Sequence, residues 1–310
     1  MRAMMYPLLL SVLGFTPAAF AVSESGYEKA YLEKVWPYFQ SGTAGTFKGV
    51  DNLSIHYITF STGEKNSQCL FISPGRQEQV EKYAELIYDL KHTNSGRDLS
   101  IFVMDHRGQG SSGRMLQNPE IGYVEHFDDY VTDEETFFEQ VIKPQGCAKY
   151  YLFAHSMGGA IGLGLVAKNP TLFSAATFNS PMWQISTKPF PAFIARALVG
   201  AETAFGQGAS YGATQTDLDI DTPFEKNITT HSEARYKTAE DLYREFPQTK
   251  LGGVSNRWVK EALRFTTDLR KKVKGLALPI TLLESGQDEF VKVQGEDKIC
   301  AQNPNCSKTL

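Results

Sequence analysis

The sequence predicts an α/β fold, a mainly parallel sheet with helices on both faces and a cap inserted late in the chain. Three observations carry that expectation. Short apolar runs alternate with helical patterns along most of the chain. One of those runs, Tyr150-Tyr151-Leu152-Phe153, delivers Ser156 into a turn of small residues that opens a glycine-rich helix. Near the end, roughly a hundred residues separate two successive strands, against about 4–6 in an ordinary connection.

The elements follow in order. Residues 1–21 read as a signal peptide: Arg2 is the basic head, Pro7 to Phe15 the apolar core, and Ala19-Phe20-Ala21 a small-x-small site cut before Val22. An uncleaved anchor is the alternative, but the apolar stretch is short of the about 20 residues a bilayer span needs. The chain is therefore expected to be exported, to the periplasm or the medium. Phe47 to Phe60 alternates like a hairpin, and Cys69 to Ser73 reads as a buried strand ending in Pro74-Gly75-Arg76. Helical spacing runs through Val80, Tyr83, Ala84, Ile87 and Leu90, followed by the strand Ile101 to Met104. A helix through Tyr130, Phe137 and Val141 leads to the strand before Ser156. The helix after Ser156 stops at Asn169-Pro170, and Ala175 to Phe178 is the next strand.

The strand after that is Ile280 to Glu284, preceded by a helical face through Trp258, Ala262, Leu263, Leu269 and Val273. That divides the mature chain into a first core part (22–181), a cap (182–256) and a second, incomplete core part (257–310). Met182, Trp183, Phe190, Phe193, Ile194, Leu198 and Phe205 suit a lid over an apolar ligand, or else the cap's own core.

The composition, with 42% hydrophobic and 21% charged residues, describes a globular protein, and a net charge of −4 argues against nucleic-acid binding. Four cysteines in an exported chain suggest disulfides. Cys69 and Cys147 each start a predicted strand and Cys300 and Cys306 close a short loop, so Cys69–Cys147 and Cys300–Cys306 are the favoured pairs. Four free thiols are the alternative and would fit a reducing compartment.

Chemistry centres on Ser156. A tight strand-to-helix turn lifts the serine oxygen out of the backbone, and Ala154 and Gly158 flank it where larger side chains would collide. The helix N-terminus then directs amide N–H groups toward charge developing beside the serine. A plain Ser/Gly turn is the bland alternative.

In order along the chain, Pro74-Gly75-Arg76, Asp105-His106-Arg107-Gly108-Gln109-Gly110-Ser111, Ala154-His155-Ser156-Met157-Gly158-Gly159 and Ser285-Gly286-Gln287-Asp288 resemble the motifs of one family. It is the monoacylglycerol lipase and lysophospholipase family of α/β-hydrolases. Thr230-His231-Ser232 with Arg235-Tyr236, Gly252-Gly253-Val254 and Trp258-Val259 are similar to its bacterial lysophospholipase branch. The resemblance covers nearly the whole mature chain. It implies hydrolysis of a lipid-derived ester by a Ser-Asp-His triad with no cofactor and no metal. Ser156 matches the nucleophile, Asp288 the orienting acid, and the main-chain N–H groups of Arg76 and Met157 the oxyanion donors, which together stabilise the intermediate by several kcal/mol. A surface turn is the alternative for Asp288. Glu78 is expected to help hold the oxyanion loop. His106 is expected to brace structure, because its strand lies beyond the Pro74-Gly75 strand from Ser156.

The base is missing. The order Ser, acid, His requires a histidine after Asp288, and His56, His92, His106, His126, His155 and His231 all precede it. His155 is expected to pack beneath the elbow, because adjacent strand residues face opposite ways. His231 falls in the cap. The chain stops at Ser307-Lys308-Thr309-Leu310, where a final strand should begin. It reads as a fragment of a longer hydrolase whose histidine lies beyond Leu310; a naturally shortened protein is the alternative. With that strand missing, Ile280 to Glu284 should be an exposed apolar edge. Without the base, the chain as it stands should be nearly inactive, since loss of a triad histidine costs about 10⁶ in rate. The resulting expectation is an exported carboxylic ester hydrolase acting on lysophospholipid or monoacylglycerol, with peripheral membrane contact through the cap. Small-peptide or aryl-ester hydrolysis, and a non-catalytic lipid-binding pseudoenzyme, are the competing readings.

Overall fold

The computed structural model describes residues 22–92, 98–187, 190–286, 288 and 290–309; the signal peptide assigned to 1–21 lies outside the described residues. A helical run opens the chain, α1 (Tyr27–Ala30) and α2 (Trp36–Gln40) joined by a π turn at Tyr31–Val35. Its buried residues Tyr27, Tyr31, Val35 and Phe39 recur every fourth position, so one stripe faces the core.

The sheet follows. β1 (Thr43–Lys48) and β2 (Ser54–Phe60) form the antiparallel hairpin that the alternation from Phe47 predicts. β3 (Gln68–Ser73), α3 (Ala84–His92), β4 (Leu99–Met104), α4 (Asp128–Phe137), β5 (Lys149–His155), α5 (Ser156–Lys168) and β6 (Ala175–Asn179) then alternate strand with helix. With β7 (Ile280–Leu283) and β8 (Cys306–Thr309) closing the sheet, the strand order is β1-β2-β4-β3-β5-β6-β7-β8, and only the ladders of β2 are antiparallel.

Strand alternation sorts the side chains to two cores. Phe71, Phe102, Met104, Leu152 and Phe178 face α4, α5 and the later helix Asn256–Lys272. Ile72, Ile101 and Val103 face the N-terminal helical run and α3. Both faces are covered, which is why these strands read as continuous apolar runs.

Between β6 and β7 (Ile280–Leu283) lie α6 (Ala192–Ala204), α7 (Glu233–Glu245) and α8 (Asn256–Lys272). Ser232 and Ser255 cap the last two, accepting from Arg235 N at 3.1 Å and from Trp258 N at 3.2 Å. Trp258, Ala262, Phe265 and Leu269 bury one face of α8 in the core, as their spacing predicts. No helix of the described residues is long and apolar enough to cross a membrane.

The expected absence of the last strand is corrected. After α9 (Val293–Cys300), Cys306–Thr309 forms β8, parallel to β7 from Ile280↔Cys306 to Leu283↔Thr309. Ile280 and Leu282 are therefore buried rather than displayed at an edge. The return is compact because Asn303 pins the turn, its Oδ1 accepting from Leu276 N and its Nδ2 donating to Ile299 O, each at 2.7 Å. Disulfides join Cys300 to Cys306 and Cys69 to Cys147, and no free cysteine occurs among the described residues.

Candidate active site

β5 runs into α5 with no intervening loop, and Ser156 is the joint. Its φ is +48°, a left-handed conformation that costs a non-glycine residue about 1–2 kcal/mol. Close packing makes the neighbours small. A Cβ on Gly158 would lie 2.3 Å from Ser73 O and 2.4 Å from Pro74 O, and one on Gly159 2.5 Å from Pro181 Cβ. The Ser156 carbonyl accepts from Met182 N at 2.7 Å, and Trp183 Nε1 donates to Gly159 O at 3.0 Å. Ser156 is half-buried, and its hydroxyl has no hydrogen-bond partner among the described residues.

β3 pairs with β5 up to Ser73↔Ala154, so the Pro74-Gly75-Arg76 loop leaves the sheet beside the elbow. Gly75 N donates to Glu78 Oε2 at 2.5 Å and Gln77 N to Gln109 Oε1 at 3.1 Å. Between them the Arg76 N–H has no acceptor among the described residues. Met157 N is in the first turn of α5, where amides lack an intrahelical acceptor. Two main-chain donors are thus left unused on the flanks of Ser156, an arrangement suited to receiving an oxyanion.

The Arg76 side chain points the other way. Its guanidinium donates to Gly252 O and lies 5.9 Å from the Trp258 ring centroid, and burial pulls its pKa down to about 10. Gln77 Nε2 donates to Leu251 O at 2.7 Å and Tyr243 Oη to Gln77 O at 2.5 Å. The Gly252-Gly253 motif therefore serves to tie the inserted stretch to this loop.

Glu78 anchors the loop from beneath. It accepts from Tyr83 Oη at 2.6 Å, lies 3.1 Å from His155 Nδ1 and pairs with Lys82 at 2.9 Å. Burial would raise its carboxyl, but His155, Lys82 and these hydrogen bonds outweigh it and hold the group well below the ordinary range. The expectation for His155 needs correction here. Rather than packing beneath the elbow it is half-buried beside the Pro74-Gly75-Arg76 loop, drawn there by the Glu78 carboxylate.

Sequence reasoning missed a second acid. Glu134 on α4 is fully buried, and Ser73 Oγ contacts both Glu134 Oε1 and, at 3.2 Å, Gly158 O. Burial pushes the Glu134 pKa up to about 8. A lone glutamate among Tyr130, Val131 and Phe137 on the apolar face of a helix was the available signal.

Asp288 follows β7, two strands across from Ser156 at the same carboxyl-terminal edge of the sheet. Its Oδ1 accepts from Phe290 N and Val291 N, both at 2.8 Å, which shapes the turn. Val291 bridges to Ile185, and Ser186 N donates to Phe290 O at 2.9 Å, binding that turn to the chain leaving β6. Asp288 has no hydrogen bond to Ser156 or to a histidine among the described residues.

The remaining histidines are elsewhere. His106 Nε2 lies 3.0 Å from Pro74 O, and burial drops its pKa to about 4, so it is a neutral brace separated from the elbow by β3. His56 lies against Asp105 at 2.8 Å, while Arg107 makes a two-point pair with Asp133 at 2.6 and 2.9 Å. His92, His126 and His231 are exposed. Among the described residues no cluster of His, Cys, Asp or Glu could hold a metal ion.

Comparison with known proteins fits this geometry. Residues 64–310 match the family described as serine aminopeptidase, S33. Lysophospholipase L2 of Escherichia coli is 33% identical over 280 residues, covering 89% of this chain and 80% of that protein. Monoglyceride lipase of Mus musculus is 26% identical over 243 residues, covering 78% of this chain and 72% of its own. In structure, a soluble variant of monoglyceride lipase from Saccharomyces cerevisiae, in complex with a substrate analog, superposes with a TM-score of 0.62 at 16% identity, over 87% of this chain and 86% of its own.

Proposed function

The chain belongs to the serine hydrolase family described as serine aminopeptidase, S33, and on that premise we propose that it releases fatty acid from lysophospholipids or monoacylglycerols. The observation that carries the reading is the left-handed Ser156, with its unpartnered hydroxyl between the free amides of Arg76 and Met157. Strain of this kind survives where the surroundings enforce it, as the packing against Gly158 and Gly159 does here.

In this reading Ser156 Oγ attacks the acyl carbonyl and the two amides receive the oxyanion. Asp288 orients a histidine that takes the serine proton and returns it to the leaving alcohol. None of the six histidines among residues 1–310 has a hydrogen bond to Ser156 or Asp288 among the described residues. Water then hydrolyses the acyl-enzyme, and no step calls for a cofactor.

Residues 182–256 act as the lid. Phe193 and Phe205 on and just after α6 are 72% and 83% exposed, and Phe290 beside Asp288 is 55% exposed. Apolar side chains so displayed suit peripheral contact with a membrane that supplies the substrate. The character of residues 1–21 and the two disulfides support export, with cleavage before Val22.

The test uses the protein as its gene encodes it. A fluorophosphonate should label Ser156, no label should appear in Ser156→Ala, and lysophosphatidylcholine or monooleoylglycerol should turn over faster than a proline peptide or an aryl ester. Preference for the peptide or aryl ester would overturn the substrate class. An unlabelled Ser156 in the folded protein would leave a lipid-binding protein.

A further inference from the structure

The hydrolytic site leaves the Ser232 and Arg235 motif unused, yet the structure makes it a junction. Arg235 on α7 donates from Nε to Glu85 Oε2 at 2.9 Å and from Nη2 to Glu85 Oε1 at 2.5 Å, both on α3. The same guanidinium reaches Glu24 through Nη1 and lies 4.5 Å from the Tyr27 ring centroid. Ser232 Oγ donates to Glu24 Oε1 at 2.7 Å. One side chain thus joins the inserted stretch, the core helix α3 and the start of the chain. Its Nη2 also donates to the carbonyl of Val22 at 3.1 Å, the first residue after the cleavage site.

Asp89, one turn beyond Glu85 on α3, faces the same residue. The Val22 main-chain N–H favours its ionised carboxyl, while its buried Oδ1 has no hydrogen-bond partner among the described residues. Burial and then Glu85 raise this carboxyl above its usual range against Arg235, the Val22 N–H and His92, which is the behaviour of a carboxylate short of positive charge. Around Val22, Arg235 pairs with Glu24 and Glu85 and acts on Asp89, with His92 nearby.

We propose that the Val22 α-ammonium, created when the leader is removed, pairs with Asp89 and completes a clamp that fastens the inserted stretch to the core. This rests on the reading of export with cleavage before Val22. The step is hydrolysis by a signal peptidase. Water's hydroxyl goes to the Ala21 carbonyl carbon, which becomes a carboxylate. The Val22 nitrogen keeps the electron pair of the broken bond, takes one proton in the hydrolysis and binds another from solvent. An amide in this position offers Asp89 one N–H and no charge. The ammonium offers three and a full positive charge, enough for the unpartnered oxygen as well. Maturation then does more than release the protein: it supplies the last bond holding α7 in position over the core.

The test compares the purified full chain beginning at Val22 with the same chain carrying one extra N-terminal glycine, and with Asp89→Asn. Mass spectrometry of the exported protein first fixes the mature N-terminus. Pairing raises the α-amine pKa by about one unit, so its acylation at pH 7 should be about tenfold slower in the Val22 form than in the glycine-extended form. Asp89→Asn should abolish that difference, and amide exchange within Glu233–Glu245 should speed up in both altered proteins. Equal acylation rates in the Val22 and extended forms would overturn this inference alone. An exported protein beginning elsewhere would overturn the export reading and the clamp with it.

Discussion

The Ser73 hydroxyl contacts both the Glu134 carboxyl and the Gly158 carbonyl, directly beneath the turn that presents Ser156. A hydroxyl has one proton to give, and Gly158 O can only accept. Donated to Glu134, that proton favours the carboxylate, but burial outweighs it and raises the acid to about 8.

Glu134 therefore opposes stability as pH rises. Its folded pKa of about 8 is above the ordinary 4.5, so its contribution is fully present below about 4.5 and is lost as pH climbs through 8. Glu134→Gln keeps a donor for Ser73 and removes the titration. Denaturant unfolding should find the variant more stable than the parent by about 1–3 kcal/mol at pH 8–9, with convergence near pH 4. Parallel pH profiles would contradict the assignment.

Glu78 has the opposite sign. Its folded pKa is depressed, so its contribution is present above the ordinary carboxylate range and lost as pH falls through the folded value. Glu78→Gln should flatten the acid limb of the stability profile. In the labelled enzyme it should also slow fluorophosphonate capture by about 10–100-fold, through misplacement of the Gly75-Arg76 amides.

The strain at Ser156 is measurable without any assay. Ser156→Gly should unfold at higher denaturant, by about 1 kcal/mol, because glycine accepts φ +48° freely. Ser156→Ala, which keeps the strain, should gain little. If the two variants match, the joint is not strained.

Gly158→Ala tests the packing of that joint. The new methyl would meet the main-chain oxygens of Ser73 and Pro74, which are fixed by the β3 ladder and cannot yield as a flexible side chain would. A loss of about 2–4 kcal/mol is expected in calorimetry or urea unfolding. Tolerance of the methyl would mean the two strands are free to part.

The disulfides should differ in worth. Cys69–Cys147 spans 78 residues and Cys300–Cys306 spans 6, so loop-closure entropy assigns them about 4 and about 2 kcal/mol. Paired Cys→Ala substitutions, compared by denaturant midpoint, should preserve that ranking.

The sequence disclosed most of this architecture because buried strands and the elbow leave strong local marks. Leu152 and Phe178 must be apolar, and Gly158 cannot carry a side chain. β8 escaped notice for the converse reason. Ser307, Lys308 and Thr309 are all exposed on an edge, so burial imposes no pattern on them. Glu134 and the place of His155 depend on contacts between residues about 60 and 80 positions apart, which no window along the chain reveals.

The ladder from Gln68↔Lys149 to Ser73↔Ala154 has a consequence beyond the fold. The offset between the Arg76 amide and the Ser156 oxygen is set by paired backbones, as two marks on one ruler, and the excursions at 105–127 and 182–256 steady it only where Gln109, Tyr243, Leu251 and Gly252 grip the loop. Exchanging the rest of those excursions should redirect which acyl donor is chosen while leaving bond-breaking intact. Deleting one residue from β3 or β5 should abolish turnover with every donor alike, because the whole scale would shift by about 3.3 Å.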